Sequence, residues 1–247
     1  YNVAYWSNLA TKVKLGIAHT CDGATIGAGG APERSESSMK WANTTNPIDQ
    51  FNTTSSIWDT NSEMVVLGWD PADTHTTNFW EELASVELSS ASNGINTGTF
   101  TPKKYLWVQY HIPSSGGSAN NYDLRVGNNT IDGGSNRYSF KYNINGANGD
   151  TPATNQTRLK LSFNGGNTGN EWSFGNIFII NNASNEKLFM SQANRNHVSG
   201  AGTSPNRYNV TGKWIESTNQ INIMELYHQT EASTFGAGTI MKVWGSD

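Results

Sequence analysis

Two glutamates on aromatic-rich strand candidates are the residues of this sequence best suited to bond cleavage. Glu171 precedes the run WSFGNIFIIN and Glu225 lies within QINIMELYHQ, so in a fold of two packed sheets they can face one concave surface. Hydrolysis of a glycosidic bond needs two carboxyl groups about 5 to 9.5 Å apart. However, the sequence contains no Glu-x-Asp-x-x-Glu run, a spacing that places carboxylates on one strand face. We therefore predict that the protein has no catalytic residues and is not an enzyme.

Two triplets, Arg34-Ser35-Glu36 and Gln109-Tyr110-His111, loosely resemble the arginine–glutamate and glutamine–histidine strands of jelly-roll alginate lyases. The triplets fall in different copies of the repeat described below, so we do not expect them to meet in one site. We interpret His111 as a histidine at the end of a strand.

Candidate metal ligands are few, and they lie in turns or in a linker. Cys21 is the single cysteine, which allows no intrachain disulfide and is too little for a cysteine-rich zinc site. Asp132-Gly133 is typical of a hairpin turn. Asp70, Asp73 and His75 belong to a solvated linker. We predict no metal site and no cofactor.

Aromatic side chains are the remaining candidates for ligand binding, with nine each of Trp, Tyr and Phe. Trp107, Tyr142 and Trp172 lie on strand candidates, where exposed rings can stack on sugars. This pattern favours a secreted carbohydrate-binding β-sandwich module as an alternative function, with surface glycans as partners.

Charge and hydropathy exclude two classes of partner. The net charge is −4 and the pI is about 5.7, whereas a nucleic-acid partner requires a basic face. The sequence contains no apolar run of about 18 residues, so we predict no membrane span. Hydrophobic residues make up 35 % and charged residues 15 %. We therefore expect aromatic layers packed between neutral polar faces.

The elements that position these residues are organised by a repeat with an offset of 173 positions (214 − 41). Residues 27–41, GAGGAPERSESSMKW, match residues 200–214, GAGTSPNRYNVTGKW, without a gap. The match continues to Ile48 and Ile221. After a small length change, residues 63–70 match residues 240–247. The repeat-signature residues, which we interpret as structural, are Pro32, Arg34, Lys40 and Trp41 in the first copy and Pro205, Arg207, Lys213 and Trp214 in the second.

The length of the repeat indicates a whole domain rather than a solenoid unit of about 20 to 50 residues. We predict that residues 1–70 are the C-terminal half of a first domain, 71–78 a linker and 79–247 a complete second domain. Two explanations of the half-domain stay open: the chain was trimmed, or another chain supplies the other strands.

Alternating apolar and polar residues predict β-strands throughout. The clearest examples are residues 12–20, KVKLGIAHT, and 103–112, KKYLWVQYHI. Residues 48–54 and 63–69 are strand candidates of the first copy. Residues 79–88, FWEELASVEL, have helical propensity, but we interpret them as the opening strand of the second domain. We predict an all-β antiparallel jelly-roll sandwich of about ten strands in the second copy.

The runs KKYLWVQYHI, NRYSFKYNINGANGD, IFIINNASNEKL and GAGTSPNRYNVTGKW resemble a tandem β-jelly-roll domain of uncharacterised structural proteins in marine bacteriophages and archaeal viruses. The resemblance covers residues 79–247 and, for the second half of the domain, 3–70. It departs where Ser38-Met39-Lys40-Trp41 lacks the glycine and where Asn61 and Thr239 stand near a Gly-Ser pair.

The resemblance implies a non-enzymatic structural protein of a virion: a capsid-associated, fibre or tail component that is virion-bound or extracellular. Its partners would be copies of itself or other virion proteins. A third hypothesis is an extracellular filament subunit with strand donation, in which a neighbouring chain completes the half-domain.

Overall fold

The computed structural model describes residues 1–23, 25–54, 60, 62–68, 79–113, 115–116, 121–146, 150–162, 172–196, 201–202, 204–229 and 234–247. Every regular element among these residues is a β-strand, as predicted. The predicted linker and Glu171 lie outside the described residues. The strands are β1 (Asn2–Trp6), β2 (Lys14–Asp22), β3 (Glu33–Trp41), β4 (Glu81–Glu87), β5 (Gly94–Asn96), β6 (Tyr105–Ile112), β7 (Ser115–Gly116), β8 (Tyr122–Asn128), β9 (Thr130–Ile131), β10 (Tyr138–Ile144), β11 (Thr151–Gln156), β12 (Leu159–Lys160), β13 (Trp172–Ile180), β14 (Lys187–Asn196), β15 (Asn206–Trp214), β16 (Ile223–His228), β17 (Thr234–Phe235) and β18 (Ile240–Ser246).

Two large antiparallel sheets carry the second copy. The first has eight strands in the order β11-β10-β15-β14-β13-β6-β18-β4, and the second contains β12-β8-β16-β5 with β9 beside β8. Residues 79–88 form the strand β4 rather than a helix, at the edge of the larger sheet. This arrangement is consistent with a β-sandwich.

Residues from both sheets form one buried hydrophobic cluster. In β6 the side chains of Leu106, Val108 and Tyr110 are buried, while the residues between them are only partly covered. Leu124 of β8 and Leu226 of β16 join the same cluster from the other sheet. Each such side chain contributes about 1.5–3 kcal/mol when it leaves water, so the alternation predicted from the sequence supplies the core.

The described residues divide into two compact units. The larger comprises Tyr1–Val3, His19–Glu36 and Trp80–Asp247, and the smaller comprises Ala4–Ala18 and Ser37–Phe79. These units do not follow the boundaries of the sequence repeat, since one segment of the first copy belongs to the larger unit. The division into half a domain and a complete domain stays a prediction.

Residues 48–54 and 63–68 are not in strands, so our prediction of strands there was wrong; the last residue of the predicted strand 63–69 lies outside the described residues. Their matches in the second copy are β16 and β18, which pair with β5, β8, β4 and β6. Among the described residues, no such partner strands pair with residues 48–54 or 63–68. Consequently Met64 and Val66 are 52 % and 58 % exposed, whereas Met241 and Val243 are 1 % and 0 % exposed.

Candidate functional site

The repeat is visible in the hydrogen bonds of each copy. Asn8 Nδ2 donates to Ile48 O at 2.9 Å, and Ile48 N donates to Asn8 Oδ1 at 2.5 Å. At the matching positions, 173 further along, Asn181 makes the same two bonds with Ile221 at 3.0 and 2.7 Å. The repeat therefore extends back to at least Asn8 and Asn181, ahead of the sequence match that starts at residues 27 and 200.

A buried lysine occupies matching positions in the two copies. Lys14 and Lys187 are both 0 % exposed. The ammonium of Lys14 lies 5.4 Å from the ring of Trp41, and that of Lys187 lies 5.9 Å from the ring of Trp214. Burial lowers the pKa of Lys187 to about 8. The repeated Trp of the signature therefore lies beside a buried lysine in both copies.

The loop after each Trp closes in the same way. Asn43 Oδ1 accepts bonds from the backbone nitrogens two and three positions on, at 2.8 and 2.9 Å. Glu216 Oε1 does the same at 2.7 and 3.3 Å. Their own carbonyl oxygens accept bonds from Lys14 Nζ at 2.9 Å and Lys187 Nζ at 2.7 Å. We call the common arrangement of three strands and closing loop, residues 2–48 and 175–221, the repeated frame.

Two residues of the glycine-rich turn of the first copy are buried, while their matches in the second copy are exposed. We call residues 25–34 the clasp turn. Ala28 and Pro32 of this turn are buried, whereas Ala201 and Pro205 are exposed. The clasp turn belongs to the same compact unit as Trp80–Asp247.

The clasp turn is held by an ion pair between Lys213 of β15 and Glu186, the residue before β14. Gly27 N donates to Glu186 Oε1 at 2.6 Å. Lys213 Nζ lies 3.1 Å from Glu186 Oε2 and donates to the carbonyl oxygen of Thr25. Lys213 is fully buried. A buried ammonium is tolerated only when it is paired and hydrogen-bonded, and the clasp turn supplies part of that compensation.

The other half of the clasp turn contacts β10, β11 and the residue before β11. Ser139 Oγ donates to Gly30 O at 2.8 Å, and Asn155 N donates to Ala28 O at 2.8 Å. Arg34 binds Asp150 through two bonds, Nη2–Oδ1 at 2.9 Å and Nε–Oδ2 at 3.2 Å. Such paired Arg–carboxylate bonds fix geometry as well as charge. The clasp turn is thus docked on the outer face of the eight-stranded sheet.

The signature residues therefore have different partners in the two copies. Arg34 of the first copy reaches Asp150, and Lys213 of the second copy receives the clasp turn. Their matches, Arg207 and Lys40, are exposed. The first copy contributes Arg34, at the end of the clasp turn, to this contact. The second copy contributes Lys213, which lies in β15.

The outer face also carries an aromatic stripe, which we define as Trp80, Trp107, Phe178 and Trp244. Trp107 stacks on Phe178 with centroids 5.9 Å apart and planes 9° apart, and it lies 5.0 Å from Trp244 and 5.9 Å from Trp80. Its indole nitrogen donates to Asn176 Oδ1 at 3.1 Å. The stripe combines flat apolar rings with amide groups on one surface.

The three predicted stacking residues do not share one surface. Trp107 and Trp172 point to the outer face, and Trp172 is 46 % exposed. Tyr142 packs against the hydrophobic core on the opposite side. Trp172 and Phe174 line an open cleft of about 510 Å³, whose other lining residues are Asn194, Arg195, Asn196, Ala201, Ser204 and Pro205.

Two of the predicted chemical candidates, Glu225 and Glu36, pair with arginines. Glu225 is 4.0 Å from Arg125, and its proposed counterpart Glu171 is not among the described residues. Glu36 of the Arg-Ser-Glu triplet pairs with Arg34 at 2.7 Å. Burial raises the pKa of Cys21 to about 12, which keeps its thiol protonated. Among the described residues, no three His, Cys, Asp or Glu side chains cluster as metal ligands. Asp70, Asp73 and His75 lie outside those residues.

Sequence reasoning missed the hydrogen-bonded polar residues that the two copies share and the buried polar residues of the second copy. The Lys14/Lys187 and Asn8/Asn181 matches were detectable, because they obey the same offset as the signature. Asp123 and His228 had no such signal. Asp123 is buried beside Arg158, with Oδ2 and Nε 2.8 Å apart.

In comparisons with protein families, curated proteins and solved structures, the chain matches none. Within the described residues, no helix is both long enough and apolar enough to cross a membrane.

Proposed function

We propose that this chain is a non-enzymatic structural component of a virion, built from tandem jelly-roll sandwiches and acting through assembly. A capsid-associated, fibre or tail position follows from the sequence resemblance. The observation that carries the proposal is the clasp turn, which fixes a segment of one copy on the sheet of the next.

The chemistry of this contact suits a permanent joint. Its ionic groups are buried or only partly exposed: Lys213 is fully buried and Glu186 is 18 % exposed. Its backbone carbonyls at residues 25, 28 and 30 all accept bonds from the sheet. Groups paired in this way cost free energy to separate, so the contact favours a fixed link over a reversible one.

Immuno-electron microscopy tests the virion setting. Antibodies raised against the purified chain should label a regular surface feature of particles from cultures that express this gene. Antibodies preadsorbed with the chain are the control. Labelling confined to soluble medium would contradict the proposal.

A carbohydrate-binding module is the second candidate, favoured by the aromatic stripe and by the exposed ring of Trp172. Rings of this kind stack on the apolar faces of sugars, and neighbouring amides bind hydroxyl groups. A glycan array followed by titration calorimetry tests whether the chain binds glycans. Trp172→Ala should abolish binding, while Tyr142→Ala, on the opposite side of the sheet, should preserve it. An array on which the wild-type chain binds no glycan removes this candidate.

A further inference from the structure

The clasp turn of the first copy packs on a sheet, whereas the described residues of the matching turn in the second copy, up to Pro205, are exposed. Ala28 and Pro32 are buried on the eight-stranded sheet, but Ala201 and Pro205 are exposed beside the half-exposed rings of Trp172 and Phe174. The second copy therefore presents a docking turn with no sheet on it in the described structure. We call Ala201, Pro205, Trp172 and Phe174 the free turn surface.

The sheet face that such a turn contacts shows the opposite difference: it is covered in the second copy and exposed in the first. A side chain added at Gly23, just before the clasp turn, would lie 3.4 Å from Leu188 Cδ2 of β14. The match of Leu188 in the first copy is Leu15, which is 59 % exposed. Ile17 of β2 and Val13, which directly precedes β2, alternate with it and are 52 % and 37 % exposed. We call Val13, Leu15 and Ile17 the free sheet face.

From these two surfaces we infer that the free turn surface of one chain docks on the free sheet face of a second copy of this chain. The inference rests on the proposed function, because it extends the internal clasp to contacts between chains. The two surfaces are different, so the contact is heterologous and each added chain offers the next a new docking surface. The expected product is an open head-to-tail chain of copies.

The residues on both surfaces fit this contact. Val13 stands where the second copy has Glu186, the residue that binds Gly27 N and Lys213. The free turn surface carries two large exposed aromatic rings, Trp172 and Phe174. An apolar face therefore meets an apolar turn, and the buried ion pair of the internal clasp is not required. Burial of exposed apolar surface supplies the attraction.

A crosslinking experiment tests the geometry. Gly23 corresponds to Asn196 and Leu188 to Leu15, so the intermolecular contact places residue 196 of one chain beside residue 15 of another. Chains carrying Asn196→Cys and Leu15→Cys are mixed with a short bifunctional thiol reagent. We expect a covalent dimer whose yield rises with concentration and falls severalfold in excess wild-type chain. Cys21 can stay in place because it is buried.

The matched control replaces Asn196→Cys by Thr101→Cys, an exposed position that belongs to neither surface. A yield from the Leu15→Cys and Asn196→Cys pair no greater than that from this control would overturn the inference. Unchanged circular dichroism of each variant shows that the result does not come from unfolding.

The two proposals fail separately. If antibodies label particles but the crosslink does not form, the virion proposal stands and the head-to-tail contact falls. If the crosslink forms and particles are not labelled, the contact stands and the virion setting falls.

Discussion

The two copies of the repeated frame share their hydrogen bonds and differ in their surroundings. In the second copy, β6 and β10 flank the frame and β8 and β16 cover it, so Asn181 and Trp214 are 0 % and 2 % exposed. In the first copy the matching Asn8 is exposed, and Trp41 is 39 % exposed. The same local bonds therefore form with or without a complete core around them.

This comparison separates local from global determinants. Bonds between residues close in the frame, such as the loop closure at Asn43, depend only on the frame itself. Burial of apolar residues depends on strands outside it, as Val66 and Val243 show. Exchanges of residues between the copies should therefore be tolerated in the first copy and costly in the second.

The largest loss of stability is expected at a cross-strand pair in which the larger side chain lies on opposite strands in the two copies. Ile179 opposes Phe189 in the second copy, whereas Trp6 covers Gly16 at the matching positions. Phe189→Gly should lower the free energy of unfolding by about 4 kcal/mol, because it opens a cavity in a closed core. Adding Ile179→Trp should recover part of that loss. Urea denaturation measures both, and a double variant as unstable as the sum of the singles would contradict the exchange.

A smaller loss of stability is expected at Gly212, because the first copy has Met39 at the matching position. Gly212 lies under Leu159, whose Cδ1 would be 2.2 Å from an added Cβ, while the matching Met39 is partly exposed. Gly212→Met should cost about 2–3 kcal/mol through overpacking. The reverse change, Met39→Gly, should cost below about 1 kcal/mol, since it only loosens a strand. Equal losses in thermal denaturation would show that the two environments are alike.

The clasp is tested by the matched arginines. Arg34→Ala removes both bonds to Asp150 and should speed amide hydrogen exchange in residues 25–34, with a stability loss of about 1 kcal/mol. Arg207→Ala changes an exposed side chain and should leave the exchange of residues 25–34 unchanged. Hydrogen-exchange mass spectrometry makes the comparison, and similar effects of the two variants would argue against a role of the clasp.

The smallest net effect is expected on acidification, because two buried groups of the second copy oppose each other. Burial lowers the pKa of His228 to about 4, so the unfolded chain binds more protons between pH 6.5 and 4 and stability falls as pH drops. Burial raises the pKa of Asp123 to about 6, so this carboxyl adds stability as pH falls from 6 to 3.8.

The two contributions can be separated by substitution. His228→Gln should flatten the acid loss of stability, and Asp123→Asn should steepen it. Denaturation midpoints measured from pH 7 to 4 give the slopes, and a slope unchanged in both variants would contradict these roles.

Much of the fold was predictable because apolar and polar residues alternate along each strand, a pattern that is visible over a few residues. The pattern in residues 103–112 predicted β6, which begins at Tyr105, and the residues 79–88 formed β4 despite their helical propensity. Residues 48–54 and 63–68 carry similar patterns but form no strands. A strand needs a hydrogen-bonding neighbour, and alternation alone does not show whether one exists.

The candidate site was predictable only in part. The signature residues were recognised, yet Arg34 and Arg207 look alike in the sequence, and only the fold shows which one is paired. Tyr142 looked like Trp107 as a stacking residue. It lies on the core side because its position in β10 sets its direction.

The sequence by itself determined the strand pattern, the 173-residue offset and the residues that close each repeated frame, since all of these depend on spacing along the chain. The tertiary structure decided which turn is buried, which lysine receives it and which apolar face stays open. Those outcomes rest on contacts between residues far apart, such as Gly27 with Glu186 at a separation of 159 positions. Identical motifs cannot reveal such contacts, because the difference lies in what packs on them.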